Sequence, residues 1–200
     1  MKKAILSIIF LTITTISLAQ EDTANNNSNF EYQFQVKMGF AQLEINDFDP
    51  VNGNLQQLDL ALSNKLGNKF KISYGFGFSE FKANALFNDT PGALKNTYLR
   101  LPVNLLYSKS FQNKTTIVTG IGVYGNYLLK SKIPGLLDEK NVGLGFGASV
   151  QTGVKFNISE DLDFGIMIES QTDFSKNKKN DSNQKITNTA LLSLNFIYKI

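Results

Sequence analysis

Large apolar side chains alternate with polar or small ones over most of the chain. From Phe30 to Phe40 every even-numbered residue is large and apolar, whereas the odd-numbered residues are polar or glycine. A period of two residues places consecutive side chains on opposite faces of an extended strand. This segment is therefore predicted to form a β-strand with one apolar face.

Seven further segments alternate in the same way, and no segment reads as a convincing helix. The connections after the first, third, fifth and seventh strands are long, and those after the second, fourth and sixth are short. The long connections are residues 46–54, 80–96, 130–141 and 174–187. Long loops at one end and tight turns at the other are typical of an up-and-down membrane barrel. We therefore predict an all-β fold, an eight-stranded antiparallel up-and-down transmembrane β-barrel.

The bulk of the apolar face decides which face points outward. An eight-stranded barrel is narrow, so its interior has little room for large side chains. The apolar face is uniformly bulky and aromatic, as in Phe70, Tyr74 and Phe76, whereas the opposite face is rich in glycine and short polar residues, such as Gly75 and Gly77. The bulky face is therefore predicted to contact lipid.

The inner face carries charges of both signs, and buried charges must be paired. We expect a charge network in the lumen. Its predicted members are Arg100, Glu31, Asp59, Glu169, Lys37, Lys71 and Lys155, with Asp163 and Lys199 on the same face. Arg100 is the only arginine of the chain, and we hypothesise that its guanidinium bridges two inner carboxylates and fixes the register. Pro102, two residues later, is expected to cause a bulge because proline cannot donate to the ladder.

The first residues read as a secretory signal. Two lysines precede an apolar and β-branched run from Ala4 to Ile16, and Ser17-Leu18-Ala19 follows. We expect residues 1–19 to be a signal peptide, 20–29 a flexible N-terminal tail and 30–200 the barrel domain. Neither the signal nor any later segment is long and apolar enough for a membrane-spanning helix.

Composition narrows the function classes. The chain has no Cys, no His and no Trp, and its net charge is +3. Without His, the commonest general base and metal ligand is missing. We therefore predict that the protein is not an enzyme, and we assign no catalytic residue, cofactor or metal site. The nearly balanced charge gives no reason to expect nucleic acid as a partner.

Two adjacent strands resemble a known family. The segment Tyr98–Tyr107, YLRLPVNLLY, and the following segment Gly120–Leu129, GIGVYGNYLL, are similar to consecutive strands of the PorT-like outer-membrane β-barrel family. The resemblance implies an integral barrel of the outer membrane of a diderm bacterium. It implies no catalytic residues, and members of one fold serve varied roles.

Three functions remain open at this point, and a fourth, an outer-membrane lipid-modifying enzyme, is least favoured because the chain has no His. The first is a non-enzymatic barrel with a structural, adhesive or partner-docking role through long extracellular loops. It would contact outer-membrane lipid, with lipopolysaccharide or a protein at the loops, where Lys176, Lys178 and Lys179 supply positive charge. The second is a narrow pore for small solutes, for which inner-face glycines would leave space. The third is a soluble periplasmic, lipocalin-like barrel that binds an apolar ligand inside.

Overall fold

The computed structural model describes residues 30–45, 48–87, 90–111, 114–134, 139–179 and 182–200. The signal peptide and tail predicted for residues 1–29 lie outside this part of the chain. The described residues form nine strands: β1 Phe30–Ile45, β2 Val51–Lys65, β3 Phe70–Phe87, β4 Thr90–Ser110, β5 Thr115–Lys132, β6 Glu139–Asn157, β7 Leu162–Asp173, β8 Asn177–Lys179 and β9 Ser182–Lys199. No helix within the described ranges is long and apolar enough to cross a membrane.

Eight of these strands close into a ring. Each strand from β1 to β7 pairs antiparallel with the next, and β9 pairs with both β7 and β1. The short β8 pairs with the beginning of β9 alone and forms a hairpin at one end of the ring. Closure leaves no row of unpaired backbone groups, which a bilayer would not tolerate. The predicted eight-stranded antiparallel barrel is confirmed.

A band of large apolar side chains faces outward around the ring. Its exposed members include Tyr32, Phe34, Leu60, Phe76, Phe78, Leu101, Val103, Ile121, Val123, Leu144, Phe146, Val150, Ile166, Ile168, Leu192, Phe196 and Tyr198. Aromatic residues gather near the end that carries the short turns, where Phe70 lies 5.4 Å from Tyr107 and Phe164 lies 5.3 Å from Phe196 between ring centroids. An apolar band with an aromatic girdle is the exterior of a membrane barrel.

The strands are longer than a bilayer requires. Strand β4 has 21 residues and β6 has 19, whereas about 9–11 tilted residues cross the hydrocarbon layer. Most residues of the predicted long loops therefore continue the strands: β3 ends at Phe87 and β4 begins at Thr90. The extra length lies at the end opposite the short turns, which we call the extracellular half.

The polarity of the two faces inverts in this extracellular half. On β1 the outward residues are apolar up to Phe40, and the next outward residues are Gln42 and Glu44. The inward residues change in the opposite sense and become Leu43 and Ile45. The lower half is therefore built for lipid, and the upper half resembles a small soluble barrel, with apolar side chains packed inside beside buried polar ones such as Asn96 and Gln184.

The bulge expected at Pro102 is wrong. Strand β4 keeps one register against β3 on both sides of the proline, from Tyr74 opposite Val103 to Gly77 opposite Arg100. The pairing is merely interrupted between these positions, since proline has no N–H to donate. The register shift of β4 lies instead between Thr97 and Tyr98, toward β5.

Candidate functional site

The middle of the lumen holds a buried ion cluster centred on Lys37. The ammonium of Lys37 lies 2.9 Å from Asp59 Oδ2 and 2.7 Å from Glu169 Oε2. The three side chains come from β1, β2 and β7, and each is at most 2% exposed. One cation thus ties three strands together in the buried middle of the lumen.

Arg100 lies next to this cluster but does not bridge two carboxylates. Its Nη1 donates a hydrogen bond to Gln57 Oε1 and stays 4.0 Å from Asp59 Oδ2. Its guanidinium carbon also lies 4.3 Å from the centre of the Tyr124 ring, which is a cation–π contact. The position between two inner carboxylates that was hypothesised for Arg100 is therefore occupied by Lys37.

An amide chain extends the cluster across the barrel. Gln57 Nε2 donates to Gln171 Oε1 at 3.0 Å, and Gln171 Nε2 donates to Glu169 Oε1 at 2.7 Å. The chain links Arg100 to Glu169 through two neutral side chains. Amides can both donate and accept, so they connect ions that are too far apart to touch.

The remaining predicted lumen charges form two groups near the short turns. Lys71 lies 2.5 Å from Glu31. Lys155 and Lys199 lie 2.6 Å and 2.7 Å from the two oxygens of Asp163. These three lysines are 13–29% exposed in their side chains, so this end of the lumen is wetter than the middle.

A buried carboxylate and an apolar plug close the extracellular half. Asp173 accepts hydrogen bonds from Tyr124 Oη, Asn126 Nδ2 and the backbone N–H of Ile186, each at 2.8 Å. The plug consists of Ala41, Leu43, Ile45, Leu55, Phe81, Leu94, Tyr98, Leu128, Ile133, Ile186 and Leu191, all buried. Together they fill the barrel with side chains at the extracellular end.

The inner-face glycines do not leave the open space that a pore would use. A Cβ at Gly77 would lie 1.9 Å from Asp59 Oδ1, and one at Gly147 would lie 2.3 Å from the Tyr124 ring. A Cβ at Gly122 would lie 2.0 Å from Asn104 Oδ1. These glycines make room for larger inner side chains of neighbouring strands.

The faces of the barrel contradict the soluble, lipocalin-like alternative. That alternative needs a polar exterior and an apolar ligand cavity inside. In the lower half Phe76 and Phe78 are each 50% exposed on the outside, and the inside holds ion pairs such as Lys37 with Asp59.

Sequence reasoning missed Asp173 and the apolar plug, and it did not foresee how Gln57, Gln171 and Tyr124 join the charge network. Asp173 is the last inward position of β7, after the outward residues have become polar, and the plug residues fall where the apolar positions change face. The change of the apolar positions from one face to the other was the sequence signal for the plug. This change resembles the end of a strand.

Comparison with known proteins supports the fold. No family model matches the chain, and no curated protein matches it. The chain is similar in structure to Neisserial surface protein A, with a TM-score of 0.58, 14% identity and coverage of 86% of this chain and 98% of that one. It is also similar to the outer membrane protein OprG from Pseudomonas aeruginosa, with a TM-score of 0.54, 11% identity and coverage of 90% and 99%. At these identities the likeness establishes the fold of an outer-membrane β-barrel.

Proposed function

We propose that the protein is an integral outer-membrane barrel with a closed lumen, and that it acts through contacts of its extracellular hairpins. The observation that carries this proposal is the inversion of polarity along the strands. The lower half offers apolar side chains to lipid, and the upper half raises an internally packed β-structure above the bilayer. Such a structure offers a rigid, polar surface for a partner outside the cell.

The proposed role is structural, adhesive or partner-docking, and it is non-enzymatic. The chain has no His and no Cys, and the buried ions of the lumen are held by one another. The resemblance of Tyr98–Tyr107, within β4, to the PorT-like family agrees with an outer-membrane location. A protein partner would meet polar side chains on the outer faces of the hairpins, such as Asn52, Asn54 and Asn84.

Fractionation followed by electrophoresis tests the membrane placement. We expect the protein in the outer-membrane fraction, with a mobility in detergent gels that changes when the sample is boiled, because a closed barrel resists detergent until it is heated. Recovery in the soluble periplasm without a mobility shift would overturn the placement.

Planar-bilayer recording tests the closed lumen. We expect no reproducible single-channel step from the purified barrel, because the Lys37 cluster and the apolar plug occupy two successive levels of the interior. A reproducible step would support the narrow-pore alternative and would contradict a closed lumen.

A further inference from the structure

Three lysines form a row on the outer face of β3, β4 and β5. Lys82 pairs directly with Lys95, and Lys95 pairs directly with Lys132. All three side chains are exposed. Residues directly opposite each other on antiparallel strands have Cβ atoms about 4.5–5.5 Å apart. The row Lys82–Lys95–Lys132 therefore holds three like charges side by side.

The lysine row lies just above the lipid-facing band. Two rows below it, Phe78 pairs with Leu99, and both face outward. Lys82 comes four positions after Phe78, which is about 13 Å along the strand. The intervening row contains Glu80 and Thr97. The lysines are thus at the level of lipid headgroups, on the side of the membrane that faces outward from the cell.

The row carries more positive charge than its protein neighbours neutralise. Within the described residues, Glu80 is the carboxylate that meets it, at 2.5 Å from both Lys82 and Lys95. Both lysines pair with the same carboxylate, so they share one negative charge. Three cations against one anion leave an excess, and like charges directly opposite one another destabilise a sheet.

The described outward residues on other strands do not share this excess. Asn54 on β2 lies directly opposite Lys82 and is neutral, and Gln42 on β1 and Thr172 on β7 are neutral outward residues of the extracellular half. Lys185 on β9 is paired with Glu44 at 2.8 Å. Among the described outward residues the unbalanced charge is concentrated on one side of the barrel.

We propose that the row Lys82–Lys95–Lys132 binds the phosphate groups of a phosphorylated glycolipid in the outer leaflet. The proposal rests on the membrane placement argued above. Lysine ammonium groups bind phosphate as point charges, and a phosphate beside them offsets their mutual repulsion. The acyl chains of the same lipid would lie against Phe78 and Leu99 directly below. A headgroup source is favoured over free phosphate because the site adjoins the apolar band.

Thermal unfolding in lipid-doped micelles tests this site. The barrel is heated in neutral detergent with bisphosphorylated lipid A, with the same lipid after removal of its phosphates, or with inorganic phosphate. We expect bisphosphorylated lipid A to raise the temperature at which the folded gel band disappears, and the other two additives to leave it unchanged. The rise should shrink in high salt because exposed charges are screened.

The double variant Lys95→Gln/Lys132→Gln removes two charges and keeps the ion pair of Lys82 with Glu80. We expect it to lose most of the rise while its stability without lipid stays equal to or above that of the wild type. The matched control, Lys65→Gln/Lys109→Gln, removes two exposed lysines at the short-turn end and should keep the full rise. An undiminished rise in the first variant, or an equal effect of dephosphorylated lipid, would overturn the proposal.

The outcomes separate this inference from the proposed function. An equal effect of inorganic phosphate would indicate an anion site without lipid specificity, and would overturn the glycolipid source. If the barrel fractionates with the outer membrane and shifts on boiling, but lipid A does not raise its unfolding temperature, this site alone would be overturned.

Discussion

The charged residues of the lumen contribute unequally to the stability of the barrel. Lys37 pairs with two carboxylates in the buried middle of the lumen, whereas Lys155 shares Asp163 with Lys199 near the short turns. Removing one partner from a buried ion pair leaves an uncompensated charge in a poorly solvated place. The cost of a substitution therefore depends on how many partners remain.

We expect Lys37→Met to lower the free energy of unfolding by about 3–5 kcal/mol, because Asp59 and Glu169 both lose their cation. Urea unfolding of the barrel in lipid vesicles measures the effect. The control Lys155→Met should cost clearly less, since Lys199 remains 2.7 Å from Asp163. Equal losses in the two variants would contradict the central position of Lys37.

Gly77 gives a second prediction at this scale. A methyl group there would meet Asp59 Oδ1 at 1.9 Å, so Gly77→Ala should displace that carboxylate and cost about 1–3 kcal/mol. Gly125→Ala is the matched control, since the nearest atoms to its Cβ are 3.9 Å away. We expect the control to be neutral or to stabilise the barrel by up to about 1 kcal/mol. The same urea titration compares them, and a loss in Gly125→Ala as large as in Gly77→Ala would contradict the steric argument.

At the residue scale, the sequence predicted which side chains lie in the lumen, but it did not predict which cation pairs with which carboxylate. Alternation alone places Lys37, Asp59 and Arg100 on the inner face. Which cation meets which carboxylate depends on the stagger of strands across the barrel, as with Glu169 on β7 facing Lys37 on β1. The distance between these strands in the chain carries no information about that stagger.

At the scale of elements, β1 and β3 are two-part units. The lower part of each turns polar or small residues inward, and the upper part turns apolar ones inward, as Phe81 on β3 illustrates by being fully buried. The switch explains why alternation predicted β1 well to Phe40 and then misassigned the continuations of β3 and β4 as a long loop. When the apolar positions shift by one residue, the alternation resembles the end of a strand unless the fold is known.

The two parts should respond separately to mutation. We expect Phe81→Ala to lower the free energy of unfolding by about 3–5 kcal/mol and to loosen the extracellular half, because the lost ring leaves a cavity in the plug. Limited proteolysis of intact vesicles should then cut the extracellular hairpins, while a core fragment stays protected by the bilayer. Phe78→Ala, which changes a lipid-facing ring three residues earlier, should leave protease resistance at the wild-type level. Equal sensitivity of both variants would show that Phe81 does not anchor a separate unit.

At the scale of the whole molecule, the outer surface fixes the depth of the barrel in the membrane. On β3 and β4 the apolar band ends at the row that contains Phe78 and Leu99, and polar side chains begin at Glu80 and Thr97. Polar residues begin there because hydrocarbon tolerates few unpaired polar groups. On β1 the band continues two rows further, to Phe40, so its upper edge does not follow one row of paired residues.

The absence of native tryptophan makes this depth measurable. We expect Phe78→Trp to emit at short wavelength and to be quenched by lipids with brominated acyl chains. Asn52→Trp, on the outer face of the extracellular half, should emit at longer wavelength and be quenched by aqueous iodide. Similar iodide quenching at both positions would contradict the placement of the band.

The polar exterior of the extracellular half also bears on assembly. This half has to pass through the bilayer before it reaches the outside, and Gln42, Asn52 and Lys82 then meet hydrocarbon that solvates them poorly. The barrier to insertion thus arises while these polar side chains cross the hydrocarbon layer, and it is lowest where the bilayer is thin or disturbed. The same side chains oppose withdrawal, so a barrel that has crossed once is kinetically trapped in its orientation.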